Sequence, residues 1–172
     1  MSLAITKASI DIGIVCDDID AMMTFYGDTL GLTLEATIPM PGGGKMNRFK
    51  VGDSVIKVIE LDPKPTTPAA PGGIRGASGY RYWTITVSNL ADSVDRAAAA
   101  GATIVVPAKE VRPGITIAII ADPDGNWVEL LQADSENNRT FSGIYSQSTR
   151  LHCRFLSVVS SATPLSLPSP GH

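Results

Sequence analysis

The chain has few residues that commonly bind soft or borderline metals. Its two histidines, His152 and His172, lie near the C-terminus, and its two cysteines, Cys16 and Cys153, lie far apart without CxxC spacing. Two thiols could pair, but a reduced, cytoplasmic protein is the simpler reading. No apolar run approaches the roughly 18–20 residues that a membrane-spanning helix needs, so no membrane span is expected. There is no block of like charges and the net charge is −3, which argues against a broad nucleic-acid or anionic-membrane surface. The start, MSLAITKASID, has no basic stretch followed by an apolar core, so no secretory leader is expected. What remains is an ordinary globular composition, 44% hydrophobic and 18% charged, able to bury a core. The 172 residues suit one domain or two small fused modules.

The chain repeats an order of elements. SIDIGIVC, residues 9–16, alternates as a strand, with Ile10, Ile12, Ile14 and Cys16 on one face. DDIDAMMTFYGDTLG follows, where Asp17 or Asp18 can cap a helix and Gly31 can end it. Ile19, Met22, Met23, Tyr26 and Leu30 form its apolar stripe. KMNRFKV and SVIKVIEL flank Gly52-Asp53, a hairpin signal. In the second half, RYWTITV is a strand with Trp83, Ile85 and Val87 on one face. Asn89, with Asp92 three residues on, reads as a capping box, and Leu90, Val94, Ala97 and Ala98 make the next apolar stripe. ATIVVP, GITIAIIA, the DPDGN turn and WVELLQ complete the half. Asp11 and Tyr82 fall at matching positions, as do Glu60 and Glu129. Each half reads β-α-β-β-β, and neither alone covers both faces of its sheet, so the two should pack together.

The expected boundaries are a first module over residues 1–62, a linker or loop over 63–79, a second module over 80–134 and a Ser- and Pro-rich irregular tail over 135–172. DPKPTTPAAPGGIRGASG, at residues 62–79, is too rich in Pro and Gly for a regular ladder or helix. It reads as an inter-module linker or as a loop folded over a pocket.

The ADPDGNWVEL segment, FYGDTLGL at residues 25–32 and the DDID helix start, taken with the repeat, resemble the vicinal oxygen chelate superfamily over about residues 9–133. That superfamily includes glyoxalase I, bleomycin-resistance proteins and extradiol dioxygenases. The resemblance implies an α+β fold of two βαβββ modules forming a cupped mixed sheet, and a homodimer. In the metal-dependent members, the first and last strand of each module supply one ligand each, typically His, Glu or Gln, His, and Glu. Carried over, these positions fall on Asp11, Glu60, Tyr82 and Glu129, so both acidic positions are kept and both histidines are absent.

The resemblance therefore implies a small-molecule ligand in the cup and a non-standard metal site at most. Zinc and nickel favour imidazole or thiolate, whereas Asp11, Glu60 and Glu129 are hard oxygen ligands suited to Mg²⁺ or Mn²⁺. No tightly bound cofactor is expected. Without a cation, three converging carboxylates would repel, and one would seek a basic partner such as Arg48 or Arg81, with Arg48 also expected to contact the ligand. Glu60 or Glu129 could then act as a general base. Tyr80, Tyr82, Thr84 and Thr86 share a strand face that is either a ligand wall or a solvated surface, and Trp127 should share the face of Glu129. Two readings stand: a lyase or isomerase acting on a small carbonyl compound, or a non-catalytic ligand-sequestering protein. Nucleic acid and membrane are not expected partners.

Overall fold

Alternation builds the first strand, β1 (Asp11–Val15), in which Ile12 and Ile14 turn inward and Asp11, Gly13 and Val15 turn outward. The structure, a computed structural model, describes residues 3–71 and 73–135. The irregular tail expected over 135–172 lies outside the described residues beyond Ser135. Asp18 starts helix α1 (Ile19–Met23), accepting the Ala21 N–H at 3.0 Å. The helix then widens into a π-helical turn, Thr24–Thr29, where the Leu30 N–H donates to the Phe25 carbonyl at 2.9 Å. The wider turn lets two consecutive aromatics, Phe25 and Tyr26, both enter the core. Gly31, at φ +70°, ends the segment in the left-handed region that glycine tolerates.

Strands β2 (Thr33–Pro39), β3 (Gly44–Val51) and β4 (Ser54–Leu61) then form an antiparallel meander, with β4 also pairing parallel to β1. The sheet order is β1-β4-β3-β2. After the loop comes one helical turn, α2 (Gly73–Gly76), which corrects the expectation that this Pro/Gly-rich stretch holds no helix. The second module repeats the pattern with β5 (Tyr82–Thr86), α3 (Leu90–Ala99), β6 (Thr103–Arg112), β7 (Ile115–Ala121) and β8 (Trp127–Ala133), in the order β5-β8-β7-β6. Its helix start is not the expected capping box. The Asn89 side chain caps nothing and instead accepts from the Ser93 hydroxyl, while Gln132 on β8 reaches across to accept the Leu90 N–H at 2.8 Å. A neighbouring strand has taken over the cap.

One core joins the modules. Met22, Phe25, Tyr26, Phe49, Ile56 and Val58 of the first cluster with Leu90, Ala97, Ile120, Val128 and Leu130 of the second. Tyr26 sits at the join, edge-on to Phe25 at 5.1 Å and stacked on Trp83 at 6.2 Å. Its hydroxyl donates to Asp122 at 2.9 Å, and the Asp17 N–H donates to Asp124 at 2.9 Å, so the DPDGN turn clasps the first module. Both sheets therefore bury the same side against helices. The opposite face of each sheet is turned away from its helix. No helix among the described residues is long and apolar enough to cross a membrane.

Candidate functional site

Strand register decides which side chains share the helix-free face. In the first sheet, Gly13 pairs with Lys57 and Lys57 with Arg48, while Ile12 pairs with Ile56 and Phe49 with Ile56. Side chains opposite one another point the same way. Lys57 and Arg48 therefore stand on the helix-free face with Asp11 and Gly13, and Ile56, Val58 and Phe49 point to the core. Glu60 has the parity of Ile56 and Val58, so it lies on the helix side, where its charge also acts on the buried Cys16. This corrects the expectation that Glu60 matches Glu129. In the second sheet Tyr82 pairs with Trp127 and Thr84 with Glu129, just as Asp11 pairs with Val55 and Gly13 with Lys57. The first-module counterpart of Glu129 is thus Lys57. A three-residue slip is odd and moves a side chain to the opposite face.

Lys57 is tied into an ionic cluster. Its Nζ lies 3.2 Å from Asp11 Oδ2, and Lys7 Nζ donates to Asp11 Oδ1 at 2.7 Å. The hydrogen bonds from Lys7 and Lys57 hold the Asp11 carboxyl down at about 2. Arg48 Nε donates to Glu35 Oε2 at 3.2 Å. The second sheet differs in character. Glu129 accepts the Thr84 hydroxyl at 2.9 Å, and its register neighbour on β7 is Ile119. No cation among the described residues pairs with Glu129. Its strand neighbours on the same face are Trp127 and Leu131, so one carboxylate with a single hydroxyl donor stands among large apolar side chains.

Two other expected ligand contacts change, and so does the expected partner of Arg81. Tyr80 precedes β5 and is fully exposed, so it lines no wall, whereas Tyr82, at 48% exposure, does lie on the helix-free face. Trp127 is on that face too, but its ring is covered by Gly73. A Cβ at Gly73 would overlap the indole, and the backbone there is left-handed at φ +56°. The covering loop is clamped by Arg81, which donates from Nε to the Gly73 carbonyl at 2.6 Å and from Nη2 to those of Ala70 and Pro71 at 2.9 and 3.2 Å. The Pro/Gly-rich stretch is thus a loop laid over the second sheet, and Arg81 holds it rather than a carboxylate.

The donor set does not fit a metal. Both Asp11 oxygens are engaged by ammonium groups, Glu60 is on the other face, and an ammonium stands at the register position opposite in role to Glu129. Among the described residues no group of three or more His, Cys, Asp or Glu could hold an ion, which corrects the expectation that Asp11, Glu60 and Glu129 converge. A cleft of about 520 Å³ lies elsewhere: an open groove on the helix side, walled by small residues such as Ala21, Thr24, Ala100 and Ala102. The one buried carboxylate there, Asp122, is committed to Tyr26 and to Asn126, whose N–H and side-chain amide donate to it.

Sequence reasoning missed Lys57. The signal was the parity of SVIKVIEL, but both faces of that strand are largely apolar, so alternation alone could not say which face held the charge.

Comparison with known proteins agrees with this architecture. The model of the Glyoxalase/Bleomycin resistance protein/Dioxygenase superfamily matches residues 9–130. A probable lactoylglutathione lyase from Synechocystis sp. (strain ATCC 27184 / PCC 6803 / Kazusa) is 30% identical over 125 residues, spanning 70% of this chain and 92% of that protein. A glyoxalase family protein from Bacillus cereus superposes with TM-score 0.66 at 19% identity, covering 77% of this chain and 99% of that one. An antibiotic-binding protein from Streptomyces sp. CB03234, TnmS3, superposes with TM-score 0.57 at 21% identity, covering 77% and 100%. With its two βαβββ modules in register and a family match across both, the chain belongs to the glyoxalase/bleomycin resistance protein/dioxygenase superfamily.

Proposed function

We propose that this protein binds a small organic ligand on the helix-free face of its sheets without a transition metal, and that Glu129 serves there as a general base toward a small carbonyl compound. The observation that carries the reading is the exchange of a carboxylate for Lys57 at the position matching Glu129, with the ammonium held by Asp11. That exchange removes a ligand and adds a fixed positive charge. A carboxylate beside Ile119, Trp127 and Leu131, steadied by one hydroxyl, is suited to take a proton from a carbon acid. The Lys57 ammonium on the helix-free face of the first sheet supplies the positive charge that an enolate oxygen needs. Lyase or isomerase chemistry of this kind needs only these groups.

The test is hydrogen exchange in D₂O, followed by NMR, with chelator-treated protein and a panel of small α-hydroxy and α-keto carbonyl compounds. Exchange into the α position should be seen, and Glu129→Gln should slow it by about 100-fold or more. Exchange that needs stoichiometric zinc or nickel would sink the metal-free reading. The second reading, ligand sequestration, is favoured by the likeness to the antibiotic-binding TnmS3. It predicts binding with no exchange in either the parent or the Glu129→Gln protein.

A further inference from the structure

We infer that the first-module half of this face is an anion subsite that takes the carboxylate of an organic acid, gripped by Lys57 and Arg48. The inference rests on the reading of the helix-free face as the ligand face and names the class of ligand. Lys57 and Arg48 are direct antiparallel partners on adjacent strands. Cβ atoms so placed stand about 4.5–5.5 Å apart, and like charges there repel. The cation–cation pair is only partly compensated. Asp11 is shared between Lys57 and Lys7, and Glu35 engages Arg48 through Nε alone. Among the described residues no hydrogen bond engages the two terminal nitrogens of Arg48, although only 24% of that side chain is exposed. Lys50, one pair along the same face opposite Val55, is exposed.

Among the described residues the ion pairs of Lys7, Arg48 and Lys57 reach only Asp11 and Glu35, and Lys50 stands in none, so this face is locally positive on a chain whose net charge is −3. Such an inversion favours a bound anion, and the free fork of Arg48 beside an ammonium matches the two oxygens of a carboxylate. On the second sheet the half-buried pair Ile117 and Leu131 offers an apolar surface. The expected ligand is a small monoanionic organic acid with an apolar group.

The test is NMR titration of the full chain with 3-phenylpropionate and with its uncharged counterpart, 3-phenylpropionamide, for the parent, Lys57→Met and Arg48→Met proteins. The acid should shift resonances of Met46–Lys50 and Val55–Ile59 and bind about tenfold tighter than the amide. Either substitution should erase that gap by weakening the acid far more than the amide, and sodium chloride should weaken the acid alone. Retained shift dispersion in the Arg48→Met spectrum guards against a folding defect in the Lys57 variant. Equal affinities, with shifts only on β7 and β8, overturn the anion subsite but leave the ligand face standing. Shifts confined to the helix-side groove overturn both. No shift in Met46–Lys50 or Val55–Ile59 at about 10 mM acid also overturns the subsite, since even millimolar affinity would show.

Discussion

Burying a carboxylate normally costs several kcal/mol, and Asp122 offsets much of that with donors from Tyr26 and from the backbone and side chain of Asn126. Burial still raises its pKa above the usual carboxylate value. Asp122→Ala would strand the Tyr26 hydroxyl and the Asn126 donors, and should cost about 2–4 kcal/mol in urea unfolding. Tyr26→Phe should cost less, about 1–2 kcal/mol, because Asn126 still serves the carboxylate. Asp11 behaves in the opposite sense. Its folded-state value of about 2 lies below the ordinary 3.8, so the stabilisation from its lysines is complete above the unfolded value and is lost as pH falls from about 4 through about 2. Asp122, held above the ordinary value, makes stability decline as pH rises past it. Lys57→Met should move the Asp11 titration upward, read by carboxyl-carbon NMR. An unmoved titration would mean that Lys7 alone sets it. Cys16 is buried, and burial pushes its thiol up to about 11, so it is a packed core side chain rather than a reactive one.

At the scale of elements, the loop over Trp127 hangs on one guanidinium. Arg81 donates to three carbonyls of residues 70–73, an arrangement worth about 1–2 kcal/mol at a partly exposed site. Arg81→Met should release the loop and uncover the indole, seen as a red shift in Trp127 emission and faster acrylamide quenching. Gly73→Ala should do the same by steric overlap and by strain at positive φ. If neither variant changes the emission, the loop is held by something other than these contacts. The same logic applies to α3, whose first N–H is capped from β8. Gln132→Ala should destabilise the protein by about 1 kcal/mol, whereas Asn89→Ala should be nearly neutral.

At the scale of the whole molecule, the modules share one core through Tyr26 and the DPDGN clasp, so they should unfold together in a single transition. Two transitions by circular dichroism and tryptophan emission would contradict that. Protein purified without chelator is expected to carry well under one equivalent of zinc or nickel by elemental analysis, because Lys57 and Asp11 neutralise each other where ligands would be needed. A homodimer is the expected assembly, checked by light scattering at micromolar concentration, where a monomer would remove that expectation.

Much of the architecture was legible in the residues themselves. Alternation in SIDIGIVC and RYWTITV, the caps and glycines around Met22–Leu30, and the Gly52-Asp53 turn are local signals, and local sterics and burial act on them directly. The repeat of these signals was enough to expect two βαβββ modules, and Asp11, Tyr82, Thr84 and Glu129 lie on the face that alternation implied. The chemistry of that face was not legible. Whether Lys57 or Glu60 answers Glu129 depends on the register of β1 against β4, a pairing between segments some forty residues apart. Both faces of β4 are apolar enough that no local pattern specifies it. The capping of α3 by Gln132, the burial of Asp122 against Tyr26 and the loop over Trp127 are likewise contacts between distant segments. Near neighbours in the chain settle which elements form. Only packing at a distance settles which charges meet, because a charge's partner depends on position in space and not on order along the backbone.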